Sequence, residues 1–147
     1  MELPLLCALL VLTCGTPAQG GMWNLNKMIT QVTGKRAITS YWPYGCHCGP
    51  GGKGTPVDAT DRCCHTHDCC YIHLKLHNCR FIGDHYKYNF SQEDVQCYDK
   101  GSWCEQQLCD CDKEVAFCLK RNLGTYNKKL RFARFSKSRC KDQSPMC

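Results

Sequence analysis

Two short stretches concentrate the residue types that do chemistry. The first, Cys63-Cys64-His65-Thr66-His67-Asp68-Cys69-Cys70-Tyr71, holds two imidazoles, a carboxylate, a phenol and four cysteines. The second, Cys109-Asp110-Cys111-Asp112, sets carboxylates next to cysteines. Cys63 and Cys70 are seven residues apart, and so are Cys111 and Cys118. Seven residues make nearly two helical turns, so each pair lies on one face of its helix. Antiparallel helices can then be joined at both places, Cys63 to Cys118 and Cys70 to Cys111. His67 sits between the first pair, and Tyr71 follows one turn later on the same face. If Cys70 meets Cys111, Asp112 comes beside His67 and Tyr71. A carboxylate held against an imidazole fixes its tautomer and stabilises its charged form, as a general base requires. A lone histidine is more often structural; the facing carboxylate and the adjacent Asp68 favour catalysis.

Asp68 is rotated about 100° from His67 around the helix. It can therefore face residues 41–56 (YWPYGCHCGPGGKGTP), a loop with five glycines and three prolines. Glycines let such a loop turn its backbone carbonyls inward. One carboxylate plus several carbonyls is a hard oxygen site, suited to Ca²⁺ rather than zinc. The acidic ladder of an EF-hand is absent. The plainer alternative is a tight turn beside a capping aspartate. Zinc on the Cys/His cluster is the other alternative, but adjacent cysteine pairs fit its ligand spacing poorly.

These groups must be positioned by few elements, and the pattern predicts a mainly α, disulfide-rich fold. Met22, Leu25, Ile29 and Val32 recur at helical spacing, with Gly34 placed as a C-terminal cap, which marks a short N-terminal amphipathic helix. Core packing is the usual meaning of such a stripe, and a pocket-lining or lipid-facing role the less usual one. A long helix is expected from Asp58 to about His77, capped by Asp58 or Thr60. A second is expected over residues 102–123, ended by Gly124. Tyr86, Tyr88, Phe90 and Val95 weakly suggest a short β-hairpin within residues 80–98. The tail to Cys147 reads as basic and irregular.

Composition bounds the rest. The chain has 147 residues, enough for one domain. Sixteen cysteines place it among disulfide-stapled secreted proteins. Leu3 to Cys14 is an apolar run too short to span a bilayer, Leu3 to Leu12 within it forms the apolar core of a secretory signal, and Ala18-Gln19-Gly20 offers a small-residue cleavage site. Residues 1–20 are thus expected to be a secretory signal and 21–147 the mature domain, although Glu2 stands where a basic residue is usual. Cleavage removes Cys7 and Cys14, which leaves fourteen cysteines, enough for seven bridges. It also leaves 19 basic against 12 acidic residues, a net +7. From Lys113 to Lys141 there are ten Lys or Arg and one acid, Glu114. That run is either a solvated face or a surface for acidic lipid headgroups or sulfated glycans. No nucleic-acid-binding motif is present. Asn89-Phe90-Ser91 is a sequon, so Asn89 is a candidate for N-glycosylation.

Taken together, Tyr44-Gly45-Cys46-His47-Cys48-Gly49-Pro50-Gly51-Gly52 resembles the calcium loop of the secreted phospholipase A2 family. The stretch Cys63 to Tyr71 resembles that family's active-site helix, and Cys109 to Asp112 its second signature. The likeness covers residues 21–147. The extension to Cys147 and the lack of a pancreatic-type loop resemble group II, and the whole is similar to its IID subgroup.

The resemblance implies two long antiparallel disulfide-linked helices, an N-terminal helix, a calcium loop and a short hairpin. It implies His67 as general base, Asp112 as its orienting partner, and Tyr71 and Tyr86 as donors to that aspartate. Ca²⁺ would be held by the carbonyls of His47, Gly49 and Gly51 and by Asp68, with the Gly49 amide helping at the oxyanion. Met22, Leu25 and Ile29 would line an acyl-chain channel, and Trp23 and Trp42 would help seat a peripheral monomer on phospholipid. The implied bridges are Cys46–Cys140, Cys48–Cys64, Cys63–Cys118, Cys69–Cys147, Cys70–Cys111, Cys79–Cys104 and Cys97–Cys109. The implied reaction is water attack on the sn-2 ester, giving fatty acid and lysophospholipid, in lipid mediator release and immune or inflammatory regulation. Pro50 departs from the Leu or Val common in the family, and Leu25 from its Phe; Asp68, replaced in inactive members, is intact. Two rival readings are a signalling protein that binds a receptor or heparan sulfate-like glycan without catalysis, and a purely cationic antimicrobial protein.

Overall fold

The computed structural model describes residues 21–147; the expected signal segment, residues 1–20, lies outside them. Helix α1 (Met22–Thr33) buries Met28, Ile29 and Val32 and ends at Gly34. Gly34 has φ 75°, the left-handed conformation that closes a helix, and donates its N–H to the Thr30 carbonyl. A single turn, α2 (Ala37–Ser40), follows. It was not expected from the sequence, and four residues are too few for a periodic pattern to show.

Helix α3 (Ala59–Leu76) starts where Asp58 accepts the Asp61 N–H at 2.8 Å, so Asp58 rather than Thr60 is the cap. Its buried face is made of Thr60, Asp61, Cys63, Cys64 and Leu74. Few of these are aliphatic, so bridges supply much of the attachment that apolar side chains supply elsewhere. Helix α4 (Trp103–Arg121) is capped by Ser102, which accepts the Glu105 N–H at 3.1 Å. It buries Leu108, Val115, Ala116 and Leu119 against α1 and α3. Gly124 does not end this helix. The helix stops at Arg121 with Asn122 as cap, and the Asn122 side-chain amide donates to the Cys118 carbonyl at 2.8 Å. An asparagine that satisfies an orphan carbonyl does the work assigned to glycine, and Gly124 falls in a 3₁₀ turn, Leu123–Thr125.

Strands β1 (Tyr88–Ser91) and β2 (Asp94–Cys97) pair antiparallel, with Phe90 opposite Val95. The two turn residues, Gln92 and Glu93, have φ 51° and 59°. A two-residue hairpin loop of the primed kind needs positive φ at both positions, usually Asn-Gly. Gln-Glu carries no such signal, so the hairpin was only weakly legible. The tail is not wholly irregular: 3₁₀ turns form at Leu123–Thr125, Lys128–Leu130 and Ala133–Phe135.

All seven bridges implied by the resemblance are present. Cys63–Cys118 and Cys70–Cys111 join α3 to α4 with Cα separations of 5.7 and 5.9 Å. The Cys/His cluster His65–Cys69–Cys147 offers no zinc site, because both of its cysteines are in a disulfide.

Candidate active site and cation loop

The two clamps bring the α3 and α4 faces together at the point where His67 and Asp112 stand. His67 Nε2 lies 2.7 Å from Asp112 Oδ1. Asp112 is fully buried and His67 about 10 % exposed. Three donors converge on the carboxylate. His67 and the Tyr71 hydroxyl, at 2.6 Å, share Oδ1; the Tyr86 hydroxyl donates to Oδ2. An ionised carboxylate only accepts, so Nε2 carries the proton and Nδ1 keeps its lone pair. Among the described residues Nδ1 has no hydrogen-bond partner. Burial, then the charge of Asp112, pushes both tyrosine hydroxyls far above the ordinary phenol range, so they remain donors. Tyr86 lies outside the hairpin strands and is held by the Asn24 side-chain amide, which donates to its carbonyl at 2.7 Å.

His67 opens into a pocket walled by Leu25, Ile29, Ala37, Val115 and Leu119. The first helix therefore lines a pocket as well as the core. Met22 stands at this pocket with over half its surface exposed. Asp68, Gly49 and Pro50 line the same pocket, so Asp68 faces the glycine loop as the helix rotation requires.

The loop is shaped by a residue that sequence reasoning missed. Asp61 is fully buried and accepts the N–H groups of Cys46, His47 and Val57 at 2.8, 2.8 and 2.9 Å. A Cβ on Gly45, which has φ 56°, would stand 2.3 Å from the Asp61 side chain. The only sequence signal was an acidic residue inside the first turn of a helix already capped by Asp58, and that is ordinary helix chemistry.

The loop carbonyls divide into two sets. Cys46 O accepts from Lys53 N, Cys48 O from Tyr44 N and Arg134, and Pro50 O from Arg134. The carbonyls of His47, Gly49 and Gly51 have no donor among the described residues. Asp68 has no hydrogen bond among the described residues either; the ring nitrogen His47 Nδ1 is 3.7 Å away. Burial raises the Asp68 carboxyl above the usual carboxylate range, against the pull of His67, His47, His65 and Arg134. Unclaimed carbonyls beside a half-buried, unpaired carboxylate form an all-oxygen donor set that fits Ca²⁺ and not a thiophilic metal.

The comparisons with known proteins decide the lineage. Residues 22–131 match the family model described as phospholipase A2. This chain belongs to the phospholipase A2 family. It is 65 % identical over its full length to the whole of human group IID secretory phospholipase A2. It is 60 % identical, again over the whole of both chains, to the mouse protein of the same name. Human "Phospholipase A2, membrane associated" is 44 % identical over 100 % of both chains. No helix among the described residues is long and apolar enough to cross a membrane.

Proposed function

We propose that this chain is a secreted, calcium-dependent phospholipase A2 that cleaves the sn-2 ester of glycerophospholipids at a membrane surface. The observation that carries the reading is the buried Asp112–His67 pair opening, beside unclaimed carbonyls and Asp68, into one apolar-walled pocket. In this reading residues 1–20 direct secretion, which accords with the relatives' name.

His67 Nδ1 accepts a proton from a water molecule in the pocket, and that water attacks the ester carbonyl. The resulting imidazolium is stabilised by Asp112, a fully buried carboxylate 2.7 Å away. Tyr71 and Tyr86 hold Asp112 in place by donating to its two oxygens. Later His67 returns the proton to the leaving alcohol, so no acyl-enzyme is required. Leu25 and Ile29 pack along the acyl chains, with Met22 at the mouth. The carbonyls of His47, Gly49 and Gly51 and the Asp68 carboxylate would hold Ca²⁺. The bound ion would supply Lewis-acid stabilisation of the oxyanion and a seat for the substrate phosphate. The Gly49 amide is a further donor for the oxyanion.

Trp23, Lys27, Arg36 and Ile38 line an exposed groove on α1 and α2, and Trp42 stands at the pocket itself. Exposed tryptophans with nearby cations suit a lipid headgroup layer. The test is hydrolysis of vesicles labelled at the sn-2 position. Activity should appear with calcium, vanish with a chelator and vanish in His67→Gln with the fold intact. Full activity in that variant sinks the mechanism.

A second reading rests on the exposed Lys128 and Lys129 of the tail, which suit a sulfated glycan. Charge reversal there should abolish retention on heparin while vesicle hydrolysis with calcium continues.

A further inference from the structure

The loop from Cys48 to Lys53 carries three glycines and one proline, and its carbonyls find one side-chain donor among the described residues, Arg134. Arg134 comes from the distant 3₁₀ turn Ala133–Phe135 in the tail, three residues past the span matched by the family model. Its Nη1 donates to Pro50 O at 2.6 Å and its Nη2 to Cys48 O at 2.8 Å. The guanidinium covers Gly49: a Cβ there would meet Nη2 at 3.3 Å and Cζ at 3.6 Å. The two carbonyls it takes, of Cys48 and Pro50, alternate with those of His47, Gly49 and Gly51.

The neighbouring tail is tied down around the same loop. Arg131 donates to Trp42 O at 3.1 Å, Ser144 Oγ accepts from Gly54 N at 3.0 Å, and Cys140 is bridged to Cys46. None of these ties touches residues 48–52. Glycine-rich backbone loses the most freedom on ordering, and Pro50 has no N–H with which to make a rung of its own. Cys48 is also paired with Tyr44 and bridged to Cys64, but Pro50 has Arg134 as its one partner among the described residues, and without it ion binding would have to order the segment beyond Cys48 itself.

On the basis of the calcium reading above, we propose that Arg134 is a positioning residue that presets the calcium loop. Its planar fork takes the carbonyls of Cys48 and Pro50, so that those of His47, Gly49 and Gly51 stay available to a divalent cation. The sign of its effect separates this role from simple electrostatics. A guanidinium near a cation site repels the cation, so removing it would tighten calcium binding if charge alone mattered. Presetting demands the opposite. Lysine keeps the charge but offers no rigid bidentate fork, so it should restore little.

The test compares the full mature protein with Arg134→Gln and Arg134→Lys. Calcium titration calorimetry reads affinity, and hydrogen exchange of residues 46–54 in calcium-free protein reads loop order. Both variants should bind calcium on the order of tenfold more weakly, the effect of losing charge-assisted hydrogen bonds that hold a site. Both should exchange faster across the loop, and their hydrolysis should need correspondingly more calcium. Unchanged or tighter binding, or unchanged exchange, in correctly folded variants overturns the proposal while leaving the calcium reading intact. If the unmutated protein binds no calcium at millimolar concentration, the calcium reading falls, and this proposal falls with it. The Lys variant keeps charge and bulk, so it remains informative if the Gln variant folds poorly.

Discussion

Asparagine at position 112 removes one negative charge from the centre of the site and changes little else in shape. The loss can be worked from the geometry. In the active form, His67 carries a full positive charge while it holds the proton taken from water. A unit charge pair at 2.7 Å in a medium of effective dielectric near 20 is worth about 6 kcal/mol. A neutral hydrogen bond from Nε2 to the amide oxygen retains part of this, so the barrier should rise by about 4–6 kcal/mol. That is a fall of roughly 10³–10⁴ in kcat. The amide has one acceptor oxygen, whereas three donors now share two. If that oxygen keeps His67 and Tyr71, its NH₂ faces the Tyr86 hydroxyl, and a buried hydroxyl loses its acceptor at a cost of about 1–3 kcal/mol. Asp112→Asn should thus be nearly inactive and also less stable. Adding Tyr86→Phe takes away the one oxygen facing the new NH₂, so it should recover neither stability nor activity. Steady-state hydrolysis of sn-2-labelled substrate in saturating calcium, with thermal unfolding of both variants, measures each quantity. Activity within tenfold of the unmutated enzyme would refute the assigned role of Asp112.

Further outcomes follow from the same structure. Because burial raises the Asp68 pKa, its ionisation opposes folding of the calcium-free protein: this contribution is harmless below the unfolded value and destabilising once pH rises through the folded one. Asp68→Asn should therefore raise the melting temperature of the calcium-free protein at neutral pH and erase the rise that calcium causes; a lower melting temperature would contradict this. Replacing Cys63 and Cys118 by alanine, with Cys70–Cys111 kept, opens only residues 63–70 and 111–118, a loop of about 16 residues. The cost should be near 3 kcal/mol in denaturant unfolding, well below the more than 4 kcal/mol that the full separation of 55 would suggest. Gly45→Ala forces a Cβ against Asp61 at a positive φ and should lower stability by roughly 2–4 kcal/mol, read as an early denaturant midpoint; near-neutral behaviour would show that the loop can shift.

Cysteine spacing and the His67/Asp68 doublet showed by themselves that two helices could be cross-linked so as to set an imidazole against a carboxylate, and the family resemblance supplied the pairing. They also indicated that Asp68 would look toward the glycine loop. These conclusions were legible because a helix converts residue spacing directly into direction, and a bridge fixes which faces meet. The end of α4 at Asn122, the hairpin turn at Gln92-Glu93, the hub at Asp61 and the clamp at Arg134 were decided only by tertiary structure. Each depends on a hydrogen bond or a backbone twist that the local pattern does not encode. Asp61 looks like one more acid in a helix's first turn, and Arg134 like one more charge in a basic tail. Only folding brings the loop's N–H groups to the first and its alternate carbonyls to the second.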